Sequence, residues 1–134
     1  MRYYHRKKVG QTSLYQYHPW EITELDFQLK NNHQNEAIFA LGNGYMGIRG
    51  TLEEDYTGPP GTSTPGVYIN GVYASEQIYY GEWAPDLPQR SQTLLNLADW
   101  SVINLYLDGE KFSMLKGRLS GYSRTLDMRR GVLK

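Results

Sequence analysis

Apolar and polar residues alternate in short runs along most of this chain, and each run ends at residues that favour a turn. A period of two places successive side chains on opposite faces of a strand. The runs with strand character are WEITELDF, EAIFAL, YMGIRGTLEE, VYINGVYA, DWSVINLYLDGEKFSML and YSRTLDMRRGVLK. No stretch of twelve residues carries a helical apolar period. The pattern predicts an all-β chain folded as an antiparallel β-sandwich.

Turn residues predict where these strands reverse. Asn70–Gly71 and Asp108–Gly109 are two-residue sequences that favour hairpins, because both positions tolerate positive φ. Arg130–Gly131 predicts another turn. The polar segment 30–35, KNNHQN, is predicted to be a loop, and WEITELDF is predicted to change register near Glu24.

The two ends of the chain differ from its middle. Residues 1–19 show no clear period and are predicted to be a loose leader, so the predicted sandwich portion is 20–134. The sequence stops four residues into the turn at Arg130–Gly131, before a following strand can be completed. We therefore expect this chain to be the N-terminal part of a longer protein.

The segment LGNGYMGIRG contains Gly42-x-Gly44-x-x-Gly47, the spacing of a dinucleotide-binding fingerprint. That motif needs a helix after its last glycine and an acidic residue near the ribose. Here Gly50 interrupts the following segment, and residues 58–66 consist of Gly, Pro, Thr and Ser. A glycine-rich hairpin is the favoured interpretation, with the glycines serving turn geometry and close packing.

Composition narrows the classes of partner. Lys plus Arg and Asp plus Glu both total 14, and a net charge of zero gives no reason to expect nucleic acid or a membrane. Basic residues are concentrated near both ends, where solvated charge is favoured over a polyanion site. The absence of cysteine excludes a disulfide scaffold and agrees with a cytoplasmic location. No apolar run approaches membrane-spanning length, and the N-terminus lacks the apolar region of a signal peptide.

Polar side chains give little sign of catalysis. The spacing of His5, His18 and His33 matches no metal site, so surface histidines are favoured and no metal is predicted. The carboxylates of residues 53–55 could bind a cation or form an acid–base pair. Adjacent carboxylates on a strand point to opposite faces, so a solvated strand end is favoured. No serine lies in a Gly-x-Ser-x-Gly sequence.

Aromatic residues are the strongest candidates for ligand contact. Trp20, Trp83 and Trp100 could stack on sugar rings, and packing in the core is the favoured interpretation for Trp20 and Trp100. Tyr79, Tyr80 and Trp83 lie in a loop rich in Gly and Pro, and could either pack or stack on a sugar ring.

Arg49 is a further candidate, because it stands on an apolar, glycine-flanked strand. An arginine that faces inward must be paired. A structural bridge to a carboxylate is favoured, and contact with a ligand is the alternative.

Four sequence blocks occur in order: NEAIFALGNGYMGIRGTLEE, GVYINGVY, LLNLADWSVINLYLDGEKF and YSRTLDMRRGVL. In this arrangement the chain resembles the N-terminal domain of glycoside hydrolase family 65, which contains inverting phosphorylases for maltose, trehalose, kojibiose and nigerose. The resemblance extends from about Trp20 to the last residue. It implies a large β-sandwich similar to galactose mutarotases, followed in the family by an (α/α)6 barrel.

The resemblance also implies a chemistry. In the barrel, one glutamic acid protonates the glycosidic oxygen while inorganic phosphate attacks the anomeric carbon, giving β-glucose 1-phosphate and a sugar. The anionic phosphate replaces the water and base of an inverting hydrolase, and neither a metal nor an organic cofactor is implied. Disaccharide and phosphate would bind through the barrel, which is absent from this chain. A homodimer is implied for the full-length protein.

None of this machinery matches a position in the present sequence, so no catalytic residue is predicted and the chain alone is expected to be inactive. Arg49, Tyr79, Tyr80 and Trp83 remain the candidate substrate-binding residues. By this resemblance, the segment between GVYASEQIYYGEW and NLADW is shorter than in maltose phosphorylases and differs from them in sequence. This difference favours the kojibiose, nigerose or trehalose group. An independent carbohydrate-binding sandwich and a hydrolase of the same family are the alternatives.

Overall fold

The computed structural model of the chain describes residues 14–83 and 85–134. In this part of the chain there are eleven strands and one helix. The strands are β1 (Tyr15–His18), β2 (Glu21–Glu24), β3 (Leu41–Gly42), β4 (Met46–Ile48), β5 (Val67–Ile69), β6 (Tyr73–Gln77), β7 (Arg90–Leu94), β8 (Tyr106–Leu107), β9 (Glu110–Lys111), β10 (Arg124–Asp127) and β11 (Val132–Leu133), and the helix is α1 (Leu29–Ile38). All pairings between these strands are antiparallel, as predicted.

The largest sheet has the order β1-β2-β10-β11, so the two ends of the described chain pair with each other. Ile22 of β2 is aligned with Leu126 of β10, which is aligned with Leu133 of β11. The hairpin predicted at Arg130–Gly131 is confirmed as the connection from β10 to β11. The strand WEITELDF ends at Glu24, where a register change was predicted. Residues 15–18 form β1, so the prediction of a loose leader is wrong there, while residues 1–13 lie outside the described residues.

A second sheet, in the order β3-β4-β5, contains the glycine-rich segment. Leu41 is aligned with Ile48, and the connecting turn contains Gly44 at φ 82°. The Oδ1 atom of Asn43 accepts hydrogen bonds from the backbone N–H of residues 45 and 46, at 3.0 and 2.9 Å. The predicted hairpin is confirmed, and no helix follows it in the way that a dinucleotide site requires.

The remaining strands form two separate ribbons, β6-β7 and β8-β9. The hairpin at Asp108–Gly109 is confirmed, with φ of 50° and 85° at its two turn residues. The prediction that VYINGVYA forms a hairpin is wrong. A turn does occur at residues 70–71, but β5 before it pairs with β4 and β6 after it pairs with β7. Partners distant in sequence therefore determine the pairing of both strands.

Helix α1 contradicts the predicted loop at residues 30–35 and the absence of any helix. Its buried side chains are Asn32, Asn35 and Glu36, and the buried Phe39 follows it directly. These positions have the i, i+3, i+4, i+7 spacing of one helix face, yet three of the four residues are polar. The apolar period is therefore missing although the helix has a buried face.

The described residues have a small apolar core and a larger buried polar one. The fully or nearly buried apolar side chains are Phe39, Val67 and Leu126. The buried polar or charged residues are Glu24, Asn32, Asn35, Glu36, Ser113, Arg124 and Asp127. Because buried polar groups stabilise a fold only when they are paired, hydrogen bonding is central to this structure.

Candidate functional site

The predicted aromatic residues Tyr79, Tyr80 and Trp83 lie together in the loop between β6 and β7. With Pro85 and Gln89 they line a cavity of about 240 Å³. Tyr79 and Trp83 are both 88% exposed as residues, whereas the hydroxyl of Tyr80 donates a 2.9 Å hydrogen bond to the carbonyl of residue 88. The structure thus brings the three residues together, and their binding of a sugar stays a prediction.

Arg49 does not line that cavity. Its Nη2 atom donates a 3.0 Å hydrogen bond to the carbonyl oxygen of His33 and lies 3.6 Å from Oε2 of Glu36. Both partners belong to α1, so the guanidinium ties the end of the glycine-rich strand to the helix. Its contact with a substrate stays a prediction.

Glu36 is fully buried and connects α1 to the loop before β5. Oε1 accepts hydrogen bonds from Asn32, at 3.0 Å, and from the hydroxyl of Ser63. Oε2 accepts one from the backbone N–H of Thr64, at 2.7 Å. Because the carboxylate is enclosed by these donors, a substrate cannot reach it, and Glu36 is positioned for structure rather than for proton transfer.

A second enclosed carboxylate, Glu24, is the centre of what we call the buried ionic cluster, formed by Glu24, Asn35, Tyr122 and Arg124. Arg124 donates from Nε and Nη2 to Oε2 of Glu24, at 3.0 and 2.8 Å. Asn35 donates to Oε1, and the hydroxyl of Tyr122 donates to Oε2 at 3.2 Å. The third donor of Arg124, Nη1, binds the carbonyl of Gly50 at 2.6 Å. The cluster joins β2, α1 and β10 to the segment after β4.

Two further interactions surround this cluster. The guanidinium carbon of Arg124 lies 4.6 Å from the ring centroid of Phe39, in a cation–π arrangement. Tyr15 of β1 donates its hydroxyl to Asn35. Burial raises the pKa of Tyr122 far above its ordinary value, and burial followed by the charge of Glu24 raises the pKa of Tyr15. Both phenols are therefore neutral donors at physiological pH.

Two of the three carboxylates at residues 53–55 are also engaged in structural contacts. Glu54 accepts a 2.9 Å hydrogen bond from the backbone N–H of Met114 and a 3.2 Å bond from the hydroxyl of Ser113. Asp55 pairs with Lys111 at 2.8 Å. Residues 53–55 lie outside every strand, so the predicted solvated strand end is wrong in its secondary structure. Nowhere in residues 14–83 and 85–134 do three or more His, Asp or Glu residues form a potential metal site.

Two of the tryptophans are much more exposed than predicted. Trp20 and Trp100 are 58% and 53% exposed, so the prediction that they pack in the core is wrong for this structure. Trp100 lines an apolar cavity of about 300 Å³ with Leu41, Met46 and Ile48. Trp20 lines a polar cavity of about 320 Å³ at the turn after β1. No helix within the described residues is long and apolar enough to cross a membrane.

Comparison with known proteins places this arrangement in a family. The sequence model described as "Glycosyl hydrolase family 65, N-terminal domain" matches residues 22–134. An alpha,alpha-trehalose phosphorylase from Thermoanaerobacter brockii is 46% identical over 121 residues, covering 90% of this chain and 16% of that protein. A kojibiose phosphorylase from Halothermothrix orenii is 36% identical over 118 residues, covering 88% of this chain and 13% of that protein.

A solved structure agrees with these relatives. A provisionally assigned kojibiose phosphorylase from the human microbiome superposes with a TM-score of 0.74 at 26% identity, covering 88% of this chain and 15% of the other. The predicted antiparallel β-sandwich class is confirmed by this match together with the strand pairings. The chain spans about one sixth or less of the length of these proteins.

Proposed function

Because the chain belongs to glycosyl hydrolase family 65 through its N-terminal domain, we propose that it is the non-catalytic β-sandwich portion of an inverting disaccharide phosphorylase. The complete protein would cleave an α-glucosyl disaccharide with inorganic phosphate to give β-glucose 1-phosphate and a sugar. The observation that carries this proposal is the 46% identity to a trehalose phosphorylase over 90% of the chain.

The non-catalytic role is supported by the state of the carboxylates. Glu24 and Glu36 are buried and hydrogen-bonded on both oxygens, while Glu54 binds the turn at residues 113–114. A general acid must reach the glycosidic oxygen directly or through one water. The contribution of this chain is therefore mechanical: it orders a sandwich that supports the catalytic part of the protein. Inorganic phosphate is a co-substrate, and neither a metal nor an organic cofactor takes part.

Trehalose is the first substrate to test, because the trehalose phosphorylase from Thermoanaerobacter brockii is 46% identical to this chain, whereas the kojibiose phosphorylase from Halothermothrix orenii is 36% identical. We propose a cytoplasmic homodimer for the complete protein, with neither nucleic acid nor a membrane as partner. The loop of Tyr79, Tyr80 and Trp83 supports a second candidate function, an independent carbohydrate-binding sandwich, because two of these aromatic residues are 88% exposed.

The decisive experiment uses the complete open reading frame that encodes this chain. The protein is incubated with trehalose, kojibiose, nigerose or maltose, with and without phosphate, and β-glucose 1-phosphate and free glucose are assayed. Phosphate-dependent release of β-glucose 1-phosphate from one disaccharide is expected. Release of two sugars without phosphate would establish a hydrolase instead.

The present chain serves as the matched control in the same assay. It is expected to release neither glucose nor β-glucose 1-phosphate, because the carboxylates of Glu24 and Glu36 are enclosed and that of Glu54 binds the backbone of Met114. Turnover by the chain alone would overturn the non-catalytic role. Inactivity of the complete, folded protein on all four sugars, combined with sugar binding at Trp83, would favour the independent binding module.

A further inference from the structure

The polar cavity near Trp20 combines an exposed ring with charged groups from two hairpin turns. Its volume is about 320 Å³, and its lining residues are His18, Pro19, Trp20, Glu21, Asp127, Arg129 and Arg130. One part of the lining comes from the turn between β1 and β2, and the other from the turn between β10 and β11. The cavity therefore lies at one end of the four-stranded sheet.

The backbone around the cavity is fixed by hydrogen bonds. The backbone N–H of Met128 donates to the carbonyl of Trp20 at 2.8 Å, which joins the two turns. Glu21 is aligned with His18 on one side and with Asp127 on the other. Trp20 as a whole residue remains 58% exposed on this backbone. An exposed aromatic ring on a fixed support costs little conformational entropy when a ligand stacks on it.

Some charged side chains of the cavity are paired within the chain, and others are not. Oδ1 of Asp127 accepts hydrogen bonds from the backbone N–H of Arg129 and Arg130, both at 3.0 Å, and Oδ2 lies 3.7 Å from Nε of Arg130. The side chains of Glu21 and Arg129 have no hydrogen bond or ion pair with any other part of residues 14–83 and 85–134. One carboxylate acceptor and one guanidinium donor therefore line the same cavity without pairing with each other.

We propose that this cavity is a carbohydrate-binding site for a glucosyl saccharide. The apolar C–H face of a pyranose ring would stack on Trp20, whose ring supplies a large, rigid contact surface. Neighbouring hydroxyls can donate to Glu21 and accept from Arg129, because a hydroxyl both donates and accepts. A free phosphate suits the cavity less well, since its charged oxygens would face the carboxylate of Glu21. The inference goes beyond the proposed function, because binding here requires no turnover.

The cavities described above at Trp100 and Trp83 lack this combination. The cavity that contains Trp100 is lined by apolar and glycine residues and by Asn43, and holds no charged side chain. The cavity that contains Trp83 includes Glu82 but no Lys or Arg. Each cavity thus holds one of the three tryptophans of the chain, so the indole signals can report on the three cavities separately.

The test is a ¹H–¹⁵N correlation titration of the three indole N–H signals, assigned with Trp20→Phe, Trp83→Phe and Trp100→Phe. Trehalose, kojibiose, maltose, glucose 1-phosphate and inorganic phosphate are added in separate series to the chain. A saturable shift of the Trp20 signal with at least one glucosyl saccharide is expected, whether or not the Trp83 signal also moves. Arg129→Met is expected to raise the Kd about tenfold, as for a lost hydrogen bond to a charged group.

Arg118→Met is the matched control, because this arginine is exposed and does not line the cavity; its Kd should equal that of the unsubstituted chain. The proposal is overturned if sugar moves only the Trp83 or Trp100 signal, or none of the three up to the solubility limit. It is also overturned if inorganic phosphate alone produces the Trp20 shift and the neutral sugars do not. These outcomes are independent of phosphorolysis, so the proposed function is tested separately.

Discussion

Replacing Arg124 by methionine should destabilise the chain strongly, because the substitution leaves Glu24 charged and enclosed. The side chains of Arg124 and Glu24 are only 6% and 2% exposed. The variant loses both hydrogen bonds to Glu24, the 2.6 Å bond to the carbonyl of Gly50 and the cation–π contact with Phe39. Removing one partner of a buried ion pair typically costs about 3–5 kcal/mol, a large fraction of the total stability of a domain.

The same substitution at Arg130 is the control. Like Arg124, Arg130 pairs with a carboxylate, that of Asp127 at 3.7 Å, but the Arg130 side chain is 73% exposed. An exposed pair is worth about 0–1 kcal/mol, so Arg130→Met should be close to the unsubstituted chain.

Urea unfolding followed by tryptophan fluorescence and circular dichroism measures both variants. With a slope of about 2 kcal/mol per M, Arg124→Met should lower the midpoint by roughly 2 M. Adding Glu24→Gln to Arg124→Met removes the stranded charge and should recover part of the loss. Equal midpoints for Arg124→Met and Arg130→Met, with no recovery in the double variant, would refute the assignment of this pair as a main stabilising contact.

Two further perturbations test packing and ionisation. Gly50→Ala should lower the free energy of unfolding, measured in urea, by about 1–3 kcal/mol, because the new Cβ would lie 2.6 Å from the carbonyl oxygen of Phe39. The control is Gly121→Ala, whose Cβ meets no described atom within 4 Å and which should change this free energy by less than about 0.5 kcal/mol. Equal losses in the two variants would contradict the close contact at Gly50. Burial raises the pKa of Tyr122 in the folded chain, so this phenol ionises in the unfolded chain first. The contribution of Tyr122 to the free energy of unfolding is therefore complete below the ordinary pKa of 10.0 and is lost as pH rises above that value. Unfolding free energies measured between about pH 9 and 11 should therefore fall less steeply for Tyr122→Phe than for the unsubstituted chain, and parallel curves would contradict a raised pKa.

Local turn chemistry could be predicted from the sequence, and pairing between distant segments could not. The turns at Asp108–Gly109 and Arg130–Gly131 depend on the residues within them, and both were predicted correctly. Asn70–Gly71 also forms a turn, but the strands beside it pair with partners elsewhere in the chain. A short turn fixes a change of direction, whereas the choice of partner strand depends on the whole fold.

Helix α1 was missed for a different reason. Sequence patterns identify a helix by apolar residues on one face, and this face presents Asn32, Asn35 and Glu36. The i, i+3, i+4, i+7 spacing of these residues with Phe39 was present in the sequence, but nothing local shows that polar side chains are buried. The burial of the Glu36 carboxylate becomes favourable only because other segments supply hydrogen-bond donors, such as the backbone N–H of Thr64.

The sequence predicted which candidate residues lie together better than it predicted how exposed each aromatic side chain is. Tyr79, Tyr80 and Trp83 lie together because they are neighbours in one loop. The exposure of Trp20 could not be predicted, because a tryptophan beside a strand is usually packed. Only the position of the neighbouring turn shows that the Trp20 side chain remains exposed. The pairing of Arg49 with Glu36 depends on α1, so it too required the tertiary structure.

The buried ion pair also has a consequence for the timing of folding during synthesis. Glu24 precedes Arg124 by 100 positions. At about 5–20 residues per second, a ribosome needs roughly 5–20 s to add that length. During this interval β1 and β2 are already made, while β10, the other neighbour of β2 in the finished sheet, does not yet exist. The carboxylate of Glu24 must stay hydrated until β10 arrives, so closure of this sheet is a late event that waits for translation.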